Sequence, residues 1–112
     1  MFKLIKILNG RINVPEPEYL PTTAGVDYSE GAPLVLTSGK LAAATSGKPT
    51  FIAMKSCAAD TCAELPVMRV DSNMVFSVEY AESTVVGAEV TVDGVTATVV
   101  EVGDGVISVI FE

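Results

Sequence analysis

The sequence predicts an all-β fold: a small single-domain β-barrel or sandwich with an extended proline-rich N-terminal arm. Three observations carry that prediction. The apolar residues are mostly Val, Ile and Ala, with no Trp and only 6% aromatics, and branched side chains pack well on a pleated surface. Gly31, Pro33, Gly39, Gly47 and Pro49 interrupt the first half so often that no helical window remains there. Turn signals at Ser38-Gly39, Asp93-Gly94 and Gly103-Asp104-Gly105 separate short apolar runs, giving the roughly 8–12-residue cadence of small sandwiches and barrels. At 112 residues the chain is one domain long, and a domain of this size buries about two-thirds of its unfolded surface. Hydrophobic residues make up 49% of it and the mean hydropathy is +0.46, enough to form a core.

The elements follow in order. Residues 1–24 read as the arm and 25–112 as the barrel domain. "KLIKILNGRINV" has the makings of a short hairpin around Asn9-Gly10. "VPEPEYLP" holds Pro15, Pro17 and Pro21; each fixes φ and removes a backbone donor, so an extended, polyproline-like path is expected. "APLVLT" and "KLAAAT" read as strands around Ser38-Gly39, and "TFIAM" as a strand after the turn "SGKP". "CAADTCAEL" reads either as one or two helical turns or as a loop across the barrel mouth. "LPVMRV" and "MVFSVEY" are strands, with Met74, Phe76 and Val78 on one face and Val75, Ser77 and Glu79 on the other. "AEVTVDGVTATVVEVGDGVISVIFE" is a β-meander.

Composition narrows the function. Seven basic residues stand against 14 acidic ones, net −7. Nucleic-acid binders draw most of their affinity from Lys and Arg on phosphates, so no nucleic-acid partner is expected; the local cations are Lys3, Lys6 and Arg11. The chain has no His, which removes the commonest general base and metal ligand. It also has no Gly-rich phosphate loop, Ser-centred elbow or Cys-His constellation. The expectation is a non-enzyme without cofactor or metal. Cys57 and Cys62 enclose "AADT"; a metal site would want two more ligands. A disulfide is sterically possible there, but a reducing cytosol favours free thiols, which is the expectation. No apolar run approaches the roughly 18 residues that span a bilayer, and "MFKLIKILNG" lacks a small-residue cleavage site. No membrane partner is expected, and synthesis is expected to leave the chain intracellular.

Two stretches invite a site reading and do not sustain it. "TFIAMKS" resembles the Ala-Met-Lys-Met turn of biotin-carrying domains, but Ser56 stands where the second Met belongs and the irregular "SCAADTCAELP" follows. Lys55 therefore reads as the solvated end of a strand. "DYSEG" (Asp27, Tyr28, Glu30) and "VDSN" (Asp71, Ser72) read as polar turns rather than as acid–base pairs.

The arm carries more information. Leu4, Ile5, Ile7, Leu8, Tyr19 and Leu20 flank its prolines, so it is expected to dock on its own barrel or, by strand addition, on a neighbour. The succession "GRINVPEPEYLPTTAG", "YSEGAPLVLTSGKL", "KPTFIAMK", "VMRV" and the closing meander resembles the capsid decoration (head-stabilising) proteins of tailed bacteriophages, over nearly the full length. The matching pattern is a Gly before an apolar strand, a Gly-Lys-Leu turn, then "IAM". The resemblance implies a small β-barrel, often trimeric, that binds the outside of the assembled capsid shell and reinforces it. Its expected partners are the major capsid protein and two further copies of itself. Its expected location is the virion surface, after synthesis in the bacterial host cytoplasm. For shell binding the candidates are Leu4, Ile5, Ile7, Arg11, Val14, Tyr19 and Leu20, and removal of residues 1–20 is expected to abolish binding while the barrel stays folded. A second reading is a small KOW-type binding or adaptor module, from the Gly-then-valine cadence of "VVGAEVTVDGVTATVVEV". Such modules usually present basic surfaces, which a net charge of −7 does not favour.

Overall fold

The computed structural model describes residues 1–8 and 16–111, and among these there are ten strands and no helix. The strands are β1 (Lys3–Ile7), β2 (Glu18–Pro21), β3 (Pro33–Thr37), β4 (Lys40–Ala43), β5 (Phe51–Ala53), β6 (Glu64–Arg69), β7 (Met74–Glu79), β8 (Glu89–Val92), β9 (Val95–Val102) and β10 (Val106–Ile110). They form two five-stranded sheets: sheet I in the order β1-β7-β10-β9-β8, sheet II in the order β2-β6-β5-β3-β4. Every neighbouring pair is antiparallel.

The hairpins form where the turn chemistry places them. Ser38 and Gly39 take φ of 50° and 80°, Asp93 and Gly94 take 52° and 83°. Two consecutive positive φ values match the right-handed twist of the flanking strands, and Asp-Gly is a favoured pair for that geometry. They join β3 to β4 with Thr37 opposite Lys40, and β8 to β9 with Val92 opposite Val95. The expected meander is thus β8-β9-β10. "CAADTCAEL" is a turn-rich loop that enters β6 at Glu64.

The core has two compartments, and sheet II divides them. Met74, Phe76 and Val78 face inward as the alternation predicts, joining Val90, Val95, Ala97, Val99, Ile107, Val109 and Phe111 of sheet I. Ile52 and Ala44 meet them from sheet II, with Val35, Met68 and Val70 at the margin. Phe2, Phe76 and Phe111 pack edge-on or tilted at centroid separations of 5.1 to 6.4 Å. The alternate residues of sheet II, Leu34, Leu41, Phe51, Ala53, Leu65 and Val67, point the other way and pack with Tyr28 and Cys57. Burying one such aliphatic or aromatic side chain is worth about 1.5–3 kcal/mol. Sheet II is therefore covered on both faces, by sheet I and by its own loops.

The N-terminal segment is bound into the fold at both described ends. β1 pairs with β7, Lys3 opposite Ser77 and Ile7 opposite Met74, and β2 pairs with β6, Glu18 opposite Val67. β2 is an edge strand, where Pro21 sacrifices no interior ladder bond. Phe2 is buried in the main core, so removing residues 1–20 would take away a core side chain and two edge strands. The expected hairpin at Asn9-Gly10 and the proline-rich path through Pro15 lie outside the described residues. Gly31 holds the N-terminal segment against sheet II. It accepts a bond from the Phe2 amide and donates one to Ala53 O. A side chain there would stand 2.6 Å from Phe2 O, at a φ of +85°, so both space and conformation require glycine.

Candidate functional site

The face of sheet II turned away from sheet I is closed by two loops, residues 22–32 and 56–63, which clasp each other through backbone and side chain. Tyr28 and Cys57 exchange two backbone bonds of 2.8 Å. Asp27 Oδ1 accepts from the Ala59 amide at 2.7 Å, Asp60 Oδ1 from the Gly25 amide at 3.0 Å, and Ser56 Oγ from the Glu30 amide at 2.9 Å. Tyr28 is buried with its hydroxyl satisfied twice: it donates to Leu41 O at 2.8 Å and accepts from the Thr23 amide at 2.9 Å. Thr23 Oγ1 donates to the same Leu41 carbonyl at 2.7 Å. These bonds draw the edge strands β2 and β4 together. "DYSEG" is thus a structural clasp, and its carboxylate works as a backbone acceptor.

Cys57 and Cys62 are joined in a disulfide, which corrects the expectation of free thiols. Their Cα atoms stand 6.4 Å apart, within bridging range. The turn between them brings this about: the Thr61 amide and hydroxyl both donate to Ala58 O, folding the chain back on itself. The bridge closes the clasp loop over the buried side of Cys57. Among the described residues no three Cys, Asp or Glu side chains converge to hold a metal ion.

Lys55 is exposed, two residues past the end of β5. Asp71 accepts the Ser72 amide at 2.8 Å and its own amide meets Met74 Sδ, which fixes the β6–β7 turn. Beside the β9–β10 turn an open groove of about 270 Å³ is lined by Tyr80, Glu82, Ser83, Val102, Gly103 and Gly105. It lies below the usual size of enclosed small-molecule sites. Tyr80 donates to Glu82 Oε2 at 3.3 Å; partial burial, then the Glu82 charge, then this bond push its phenol above its ordinary pKa.

The candidate shell-binding residues separate into two kinds. Leu4 and Ile7 pack inward on the main core, and Leu20 packs on the second cluster. Their apolar character fastens β1 and β2 to the chain's own sheets. Ile5 and Tyr19 point out, 47% and 60% exposed, on the two edge strands. Arg11 and Val14 lie outside the described residues. Arg69 on β6 reaches across to Glu18 on β2 with two bonds of 3.0 and 2.8 Å while its guanidinium stacks 4.9 Å over Phe51. That bidentate bond and the carboxylate charge raise the Arg69 pKa further above its ordinary value.

The sequence reading did not single out the far end of sheet I. Val85 and Val86, in the β7–β8 connection, are 69% and 64% exposed, and Val102 and Val106 flank the β9–β10 turn, also exposed. The charges among them, Glu79, Glu82, Glu101 and Asp104, are all acidic and all exposed. The signal was available as a bias along the chain: no Lys or Arg follows Arg69, whereas eight of the 14 acidic residues do. Compared with known protein families, curated proteins and solved structures, the chain matches none.

Proposed function

We propose that the protein is a non-catalytic structural component of a tailed-phage virion that binds the outside of the capsid shell and reinforces it, as a small barrel that acts as a trimer. The observation that carries this reading is the pairing of Ile5 and Tyr19, large apolar side chains held outward on the edge strands that bracket the proline-rich segment. An exposed aromatic or aliphatic residue on a strand with unpaired backbone groups is a ready anchor for another protein's surface. The sequence likeness to decoration proteins points the same way. The acidic balance supports a shell-facing protein that does not compete for packaged DNA.

Truncation is a poor test, because residues 1–20 include Phe2, all of β1 and most of β2. Surface substitutions are better. Ile5→Asp and Tyr19→Ser should leave the far-ultraviolet circular dichroism and melting temperature near those of wild type. In co-sedimentation with assembled shells they should lower the bound fraction severalfold. Undiminished binding by the double variant would remove these anchors from the account.

A further inference from the structure

We propose that copies of this chain bind one another head-to-tail, the β1 edge of sheet I in one copy meeting the β8–β9 edge of sheet I in the next. β1 and β8 are the two outer strands of the same sheet, so these edges face opposite ways. The β1 edge carries an exposed apolar side chain between two lysines, and the opposite edge carries exposed valines with acidic residues along the chain beside them. On β1, Ile5 lies between Lys3 and Lys6, all exposed. On the opposite edge, Val85 and Val86 lead into β8, where the Gly87 amide donates to Val99 O of β9 at 2.8 Å. Val102 ends β9, and along the chain Glu82 and Glu89 flank Val85 and Val86 while Glu101 precedes Val102, all exposed.

Two apolar patches of opposite charge on one chain complement each other and not themselves. An apolar centre with an opposed charged rim gives both affinity and register. Because each patch repels its own kind, the contact is heterologous and propagates, into a ring where the rotation between copies closes and into a filament where it does not. Strand addition is not the mode. Two lysines and the register shift between Leu4 and Lys6 guard the β1 edge against it, so the contact runs through side chains. The inference provides a contact between copies for the multimer in the function proposed above; it takes Ile5 into that contact and leaves Tyr19 on β2 as the anchor facing the shell. It does not depend on a shell being present.

Sedimentation velocity on the intact chain tests it. The wild type should associate as concentration rises at low salt, and the association should weaken as salt screens the edges. Lys3→Glu/Lys6→Glu and Glu82→Lys/Glu101→Lys should each be monomeric alone, with unchanged circular dichroism, since all four positions are exposed. Mixed in equal amounts, the two variants offer two complementary junctions, one native and one charge-reversed, and should restore association through alternating copies. All four changes in one chain should restore self-association. A wild type that stays monomeric throughout overturns the proposal. So does either reversed variant associating as the wild type does. A monomer that nevertheless saturates shells overturns this contact and leaves the shell-binding reading standing.

Discussion

At the scale of single residues, Tyr28 and Gly31 do work that their neighbours cannot take over. The Tyr28 hydroxyl is buried and satisfies both the Leu41 carbonyl and the Thr23 amide. Tyr28→Phe keeps the ring, strands the Thr23 amide and leaves the Leu41 carbonyl to Thr23 Oγ1 alone, an imbalance that costs about 1–3 kcal/mol. Chemical denaturation should show a lower midpoint with an unchanged slope. Gly31→Ala forces a side chain into the Phe2 carbonyl at a left-handed φ. Backbone strain of this kind costs about 1–3 kcal/mol before the contact is counted. The variant should loosen the N-terminal segment first, seen as faster hydrogen exchange at the Phe2 amide than at the Val99 amide of β9. Sequence showed a glycine before an apolar strand. It did not show why, because the chain that crosses Gly31 comes from 29 residues away.

At the scale of elements, local signals were legible and long-range pairing was not. Ser38-Gly39 and Asp93-Gly94 specified their hairpins because a two-residue turn and its flanking alternation lie within one short window. The inward set Met74, Phe76, Val78 followed from a period of two. The pairing of β1 with β7 depends on packing Phe2 and Leu4 against residues some 70 positions on, and no local rule encodes it. The same holds for β2, where the prolines suggested an extended arm that docks, and only the ladder with β6 shows on which strand. The Cys57–Cys62 bridge was obscured by reasoning from compartment, whereas the Ala58–Thr61 turn had already brought the two residues together. A loop this short contributes about 2 kcal/mol when closed, and the clasp has further hydrogen bonds of its own. Reduction should therefore lower the melting temperature by several degrees and leave the fold intact, as read by circular dichroism. The Tyr80 phenol, pushed upward by partial burial and Glu82, adds an alkaline dependence. A folded-state pKa above the unfolded value stabilises fully below about pH 10 and is lost as pH rises through the folded pKa. Tyr80→Phe should flatten the fall in melting temperature above pH 10.

At the scale of the whole molecule, the chain separates what holds it together from what it offers outward. Leu4, Ile7 and Leu20 fasten the two edge strands inward, while Ile5 and Tyr19 on those strands point to solvent. Charge is divided as well, with cations confined to the first 69 residues and the far end of sheet I wholly acidic. Total charge was legible in the sequence. Its division between opposite sheet edges emerged only once β1 and β8 were seen to bound one sheet. The central claim, that this is a shell-reinforcing surface protein, is tested most directly by titrating wild-type protein onto assembled shells of a tailed-phage major capsid protein. Binding is expected to saturate at a fixed number of copies per shell and to raise the temperature at which the shell disassembles. Binding that never saturates, or saturation with no gain in shell stability, would contradict it.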